Sequence, residues 1–201
     1  MLKAKSLYHL IVYSIFFIII LISFFTFIII NNAHEELQEK ITTLKEDYTN
    51  NQKALLKNYV NYVVKFIDYY YIENRDKFDE ETIQKNLILA LDHLNISSNP
   101  NEYIFIFDIN GNLIDNSNDK QEIGKNFLNY KDSKGKSVVK ELIEASKNSD
   151  GGFVNYFWSK PSLTKETNKI SYVKSYDRWS WTIGKGVYLD ENVKNIEVLY
   201  R

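Results

Sequence analysis

The sequence predicts an α+β chain: one transmembrane helix, a second long helical stretch, and an antiparallel sheet of about five strands with helices on one face. Three observations carry this. Residues 7–30 include no charged side chain and consist mainly of Leu, Ile, Val, Phe and Tyr. Residues 34–75 contain neither Pro nor Gly, and their apolar positions return every three or four residues. The last half breaks into short β-branched and aromatic runs separated by Gly, Asn and Asp.

The uncharged run spans roughly 24 residues, and about 20 suffice to cross a bilayer as a helix. Lys3 and Lys5 precede it; Glu35 and Glu36 follow. The positive-inside rule predicts residues 1–6 in the cytoplasm, 7–30 across the membrane, and the rest outside. A cleaved signal has an apolar core of about 7–15 residues and ends at small side chains. This run is longer and ends in Ile28-Ile29-Ile30-Asn31-Asn32, so an uncleaved anchor is expected.

Beyond the membrane, Leu37, Ile41, Leu44 and Tyr48 form one apolar stripe, and Leu56, Tyr59, Val63, Phe66 and Tyr70 another. One helix of roughly 60 Å is expected, at 1.5 Å per residue. Its later half should pack on a domain. Its earlier half should pair with a second copy, giving a homodimer through the long helix, or else pack within the chain. Asn51 and Gln52 interrupt the stripe and argue against a strict coiled coil.

Asp79 followed by Glu80 and Glu81 reads as a helix start, with Ile83, Leu87, Ala90, Leu91 and Leu94 as its apolar face. Residues 95–100 are a loop by composition. Residues 103–107 form a strand apolar on both faces, hence central. Asp108 to Asn112 is a turn, and residues 113–115 return as a hairpin partner. A polar loop follows to Gly135, with Phe127 and Tyr130 as anchors. A third helix fits residues 136–147 and stops at Gly151-Gly152. Three strands fit residues 153–159, 169–176 and 179–188, joined by residues 160–168 and by an Asp177-Arg178 turn. Residues 190–201 read as helical.

Composition excludes several functions. With 25 basic and 26 acidic residues the net charge is −1, so no basic face for nucleic acid is expected. There is no cysteine, and the three histidines (His9, His34 and His93) lack ligand spacing, so neither a metal site nor a cofactor is expected. Asp108-Ile109-Asn110-Gly111-Asn112 begins like a calcium loop, but the position of the closing Glu is Asp119 and the flanks read as strand. No serine stands in a nucleophile elbow. The chain is therefore expected not to be an enzyme.

Alternation places Val154, Tyr156, Trp158 and Lys160 on one face of their strand, and Ile170, Tyr172 and Lys174 on one face of the next. Neighbouring faces of this kind would form a ring-lined cavity with ammonium groups, suited to a small carboxylate. The same rings also suit a plain aromatic core with lysines reaching solvent. Tyr103 and Phe105 are expected as walls. Lys169 stands in reserve, because a register slip of one residue exchanges the faces.

At these residues the sequence resembles single Cache domains of the second type. Tyr103-Ile104-Phe105-Ile106-Phe107-Asp108, Gly111, Gly124-Lys125-Asn126, Lys131-Asp132 and Gly135-Lys136 resemble that family's successive landmarks. The run from Gly152 to Pro161 resembles its Gly-Phe-Val-x-Tyr-x-Trp-x-Lys-Pro segment, and residues 169–174 and 181–188 its closing strands. The resemblance spans about residues 35–191. It implies a PAS-like sheet on a long N-terminal helix, outside the bacterial cytoplasmic membrane. It also implies recognition of a short carboxylate or amino acid by a chemoreceptor, histidine kinase or diguanylate cyclase. The family's His-Pro pair is absent: Asp115-Asn116-Ser117-Asn118 stands there, placing Asp115 beside the expected ligand. Residues 31–191 are thus expected as the sensor domain and 192–201 as the start of a helix returning to the membrane. The alternative is a single-span binding protein without an output domain.

Overall fold

The computed structural model describes residues 2–94, 101–160 and 166–189. The expected loop at 95–100, the expected helix at 190–201, residues 161–165 and the Leu94 side chain lie outside them. The described residues form two compact units that divide between Glu46 and Asp47, and helix α1 (Leu2–Asn74) contributes to both.

In the first unit, every side chain from His9 to Ile30 is exposed. An exposed apolar run of this length has the dimensions of a membrane-crossing helix. Further along α1, Ile41 is buried and Leu37 and Leu44 are half-buried.

The second unit holds the sheet. After α1 come α2 (Glu80–Leu94), β1 (Ile104–Asp108), β2 (Leu113–Asn116), α3 (Val138–Ser146), β3 (Gly152–Ser159), β4 (Glu166–Tyr176) and β5 (Trp181–Tyr188). The strands lie in the order β2-β1-β5-β4-β3, every pair antiparallel. The Asp79 carboxylate accepts the Thr82 N–H at 2.8 Å and caps α2, which holds its pKa below the usual carboxylate range. In the β1–β2 turn, the Asp108 carboxylate accepts the backbone N–H groups of Asn110 and Asn112 at 2.9 and 2.8 Å. Asp108 thus braces the hairpin itself. Gly111 is required there: its φ is 81°, and a Cβ would strike the Leu128 backbone.

Helices cover both faces of the sheet, not one. Leu56, Val60, Val63 and Ile67 of α1, with Leu87 and Leu91 of α2, pack on Ile104, Ile106, Ile170, Tyr172 and Ile183. On the other face Val138, Val139 and Leu142 of α3 pack with Phe105, Phe107, Val154 and Val173. The unbroken apolar run of β1 already demands this, since a strand apolar on both sides needs cover on both. β5 begins at Trp181, two residues later than expected. A short 3-10 turn at Asp177–Trp179, closed by Ser180 at a φ of 52°, takes the intervening residues.

Candidate ligand-binding site

The α3 side of the sheet does not close completely. It leaves a cavity of about 410 Å³ within the second unit. Three walls come from strands. Tyr103, Phe105 and Phe107 reach in from β1 and the residue before it; Tyr156 and Trp158 come from β3, with Lys160 just past its end; Lys169 comes from β4. The fourth wall is the segment after β2, through Asn116, Asn118, Asp119 and Glu122. Phe127 and Tyr130 close over it from the long loop.

Register decides which residues share this face. β3 and β4 pair Tyr156 with Lys169 and Val154 with Ser171. Lys169, Ser171 and Val173 therefore lie on the cavity side of the sheet, with Lys169 in the cavity lining, and Ile170, Tyr172 and Lys174 lie on the α1 side. Tyr172 belongs to the helix-side core, where its hydroxyl donates to the Asp150 carbonyl. The Lys174 ammonium donates to Asn61 Oδ1 of α1 at 3.2 Å. Both residues were expected at the ligand, and neither lines the cavity; the slip is one residue, which reverses every side chain. Lys169, the reserve candidate, occupies the place foreseen for Lys174.

Asp115 is also displaced from the cavity. A bulge between Ile106 and Phe107 turns it to the helix side, opposite Ile106, and brings Asn116 to the cavity instead. Asp115 is fully buried, and Lys120 Nζ donates to its Oδ1 at 2.7 Å and to Asp92 Oδ1 of α2 at 2.6 Å. Burial raises its pKa, and the hydrogen bond from Lys120 opposes that rise. Asp115 therefore does not line the cavity.

Lys169 is the unusual group. Its side chain is 1% exposed, and its Nζ lies 3.9 Å from the ring centre of Tyr103 and 5.0 Å from that of Tyr188. Burial alone lowers its pKa to about 7; no carboxylate among the described residues acts on it. Lys160 is buried nearby, its Nζ 5.5 Å from the same Tyr188 ring. Gly186 makes room for this arrangement, because a Cβ there would strike Lys169 Cε and Ser171 Oγ. The Tyr156 hydroxyl lies 2.8 Å from Ser171 Oγ, and burial pushes its pKa well up, so it stays a neutral hydrogen-bonding group.

The loop that carries Tyr130 is pinned at two points. The Asp132 carboxylate accepts the N–H groups of Lys134, Lys136 and Phe157, each at 2.9 Å, which ties the loop to β3. Glu166, at the start of β4, accepts the Tyr130 hydroxyl at 2.7 Å and the Ser133 N–H at 2.8 Å. Burial, then this carboxylate, raises the Tyr130 pKa to about 12. Tyr130 packs edge-on against Trp158, with ring centres 4.8 Å apart.

Chemically, the cavity offers two amines and a tyrosine hydroxyl beside a wall of rings. Among the described residues no group of three or more His, Cys, Asp or Glu could hold a metal. Sequence reasoning missed Phe107, which the alternation of Tyr103 and Phe105 already signalled. It also missed the β2-side polar wall, for which the sequence has no periodic signal.

A family model described as single Cache domain 2 matches residues 48–199. The chain is 30% identical over 154 residues to the sensor histidine kinase MctS of Rhizobium johnstonii, spanning 77% of this chain and 32% of MctS. It thus matches about a third of that relative's length. A crystal structure of a methyl-accepting chemotaxis protein from Vibrio parahaemolyticus superposes with a TM-score of 0.66 at 25% identity, covering 77% of this chain and 99% of that one. A second solved structure, described as "Structural basis for carboxylic acid recognition by a Cache chemosensory domain", superposes with a TM-score of 0.64 at 27% identity, covering 72% and 98%.

Proposed function

The chain belongs to the single Cache domain 2 family, and from that premise we propose that it is the extracytoplasmic sensing region of a bacterial transmembrane receptor that binds a small carboxylic acid. The observation that carries the ligand class is Lys169: a buried amine on the cavity wall with no carboxylate acting on it. A carboxylate entering the cavity would supply the missing counter-charge, and Tyr156 a second hydrogen bond. A solved structure of the same fold concerns carboxylic acid recognition, which agrees with this reading.

Sensing outside the cytoplasmic membrane is supported by the exposed apolar run of α1 and by Lys3 and Lys5 before it. Occupancy can be transmitted only if the ligand binds two conformations unequally. The sheet packs directly on α1 through Ile104, Ile106 and Ile183, so the strands that carry the cavity walls also carry the helix contacts. The chain's own role is recognition rather than catalysis. Titration calorimetry of the whole chain in lipid nanodiscs, with acetate, propionate, benzoate and glycine, tests the reading. Binding of at least one acid is expected, and binding of none overturns it. A reporter enzyme active only outside the cytoplasm, fused after Arg201, should be active; activity of a strictly cytoplasmic reporter there would contradict the topology.

A further inference from the structure

The cavity wall carries two kinds of group. Lys169 and Lys160 gather around Tyr103 and Tyr188. The rings of Phe107, Phe127, Tyr130 and Trp158 touch one another in sequence: Phe107–Phe127 at 6.2 Å, Phe127–Trp158 at 6.2 Å and Tyr130–Trp158 at 4.8 Å between centres. Leu113 and Leu142 also line the cavity. Phe127, Tyr130 and Trp158 remain half-exposed, although they belong to the aromatic core.

Size separates the candidate acids. A closed apolar cavity of about 150 Å³ already accommodates benzene. A two- or three-carbon acid is smaller than benzene and would leave much of this cavity, which opens to solvent, to water, part of it lying against rings. Wetting that surface is unfavourable, and covering it with a flat apolar group is favourable in proportion to the area removed from water. The edge-on ring contacts also suit another aromatic ring, whose preferred packing on its neighbours is offset or edge-to-face.

We infer that the acid recognised here is a monocarboxylate bearing an aromatic ring, with its carboxylate at Lys169 and Lys160 and its ring against Phe127, Tyr130 and Trp158. Asp119 and Glu122 on the remaining wall disfavour a second carboxylate. This rests on the carboxylic-acid reading above and specifies its ligand class.

The test is titration calorimetry of the whole chain in nanodiscs with acetate, propionate, benzoate, phenylacetate and benzyl alcohol. Benzoate or phenylacetate should bind at least about tenfold more tightly than propionate, since a ring buries far more apolar area than an ethyl group. Trp158→Ala and, separately, Phe127→Ala should reduce that ratio several-fold. If propionate or acetate binds as tightly as both ring acids, the inference is overturned and the carboxylic-acid reading stands. Should benzyl alcohol match benzoate, the ring subsite survives and the anion reading fails. If nothing binds, both fail. The ligand panel needs no variant, so a variant that fails to fold leaves it decisive.

Discussion

Lys169 Nζ lies 3.9 Å above the ring of Tyr103, inside a cavity wall where burial alone sets its pKa at about 7. In the unfolded chain the same amine ionises near 10.5. Between those values the unfolded state holds a proton that the folded state has released. Stability of the ligand-free domain should therefore rise with pH from about 7 to about 10.5, and the penalty stays at its maximum below 7. The full difference is on the order of 5 kcal/mol. Lys169→Met should stabilise the ligand-free chain at pH 6 and flatten this rise. Denaturant midpoints at pH 6, 8 and 10 measure both effects; a wild-type profile that falls across this window would contradict them. Tyr188 and Tyr103 face the amine from β5 and the start of β1, and Tyr156 and Lys160 from β3 and its end. Asp119 and Glu122 line the same cavity. Neither tyrosine with a resolved shift, Tyr103 or Tyr156, ionises inside this range, because burial raises both.

The lysines should separate by face. Lys169→Ala and Lys160→Ala each remove an amine from the cavity and should weaken acid binding by about ten- to a hundredfold, the worth of a charge-assisted hydrogen bond of roughly 1.5–3 kcal/mol. Lys174→Ala removes a contact to Asn61 on the opposite face and should leave acid affinity within about twofold. Acid affinity should also fall as pH rises above 7, since only the protonated Lys169 meets a carboxylate. Calorimetry on the three variants at pH 6.5 and 8.5 reads both outcomes. Loss of binding in Lys174→Ala alone would restore the other register.

Most of the fold is legible because its signals are local. The long exposed apolar stretch of α1 follows from one uncharged run, α2 from Asp79 and its periodic leucines, and the β1–β2 hairpin from Asp108 and Gly111. The cavity is half legible for the same reason. Tyr103, Phe105, Tyr156, Trp158 and Lys160 follow from alternation within a strand, which fixes relative faces. Tyr172, Lys174 and Asp115 do not, because the face of one strand relative to another depends on non-local register. β4 is buried on both sides from Lys169 to Val173, so no apolar–polar alternation marks its inner face. For Asp115 the deciding feature is a bulge: the single step from Ile106 to Phe107 in β1 faces two steps, Asp115 to Leu113, in β2, so Ile114 is the extra residue, and only the pairing with β1 reveals it.

The Asp132 brace should matter for both stability and binding. Its carboxylate serves three backbone N–H groups, and these hold its pKa below the usual range despite the opposing effect of burial. Asp132→Ala strands those donors and should cost roughly 1–3 kcal/mol. It should also loosen the loop that carries Phe127 and Tyr130, weakening acid binding more than Lys174→Ala does. Thermal unfolding together with calorimetry measures the pair. An unchanged melting temperature would show that the three bonds add nothing.

Self-association should run along a different seam from the one the sequence suggests. Ile41 is buried and Leu37, Leu44 and Tyr48 are half-buried within one chain, so that stripe offers little free surface. In the second unit α1 instead exposes Leu55, Tyr62 and Tyr69 at a spacing of seven, with Ile72 three residues on, at 54%, 71%, 62% and 49% exposure. A seven-residue repeat on one helix is the pattern by which two parallel copies pack. A second copy of this chain, held parallel by the membrane anchor at raised effective concentration, is the occupant we propose for this face. Since no native cysteine exists, single cysteines report cleanly. Tyr62→Cys and Tyr69→Cys should form disulfide-linked dimers in membranes within minutes of mild oxidation. Lys65→Cys, on the same face between them, should do so comparably. Thr43→Cys, on the exposed side of the earlier segment, should crosslink several-fold more slowly. Equal crosslinking at all four positions would indicate random collision, and faster crosslinking at Thr43→Cys would move the seam back toward the membrane.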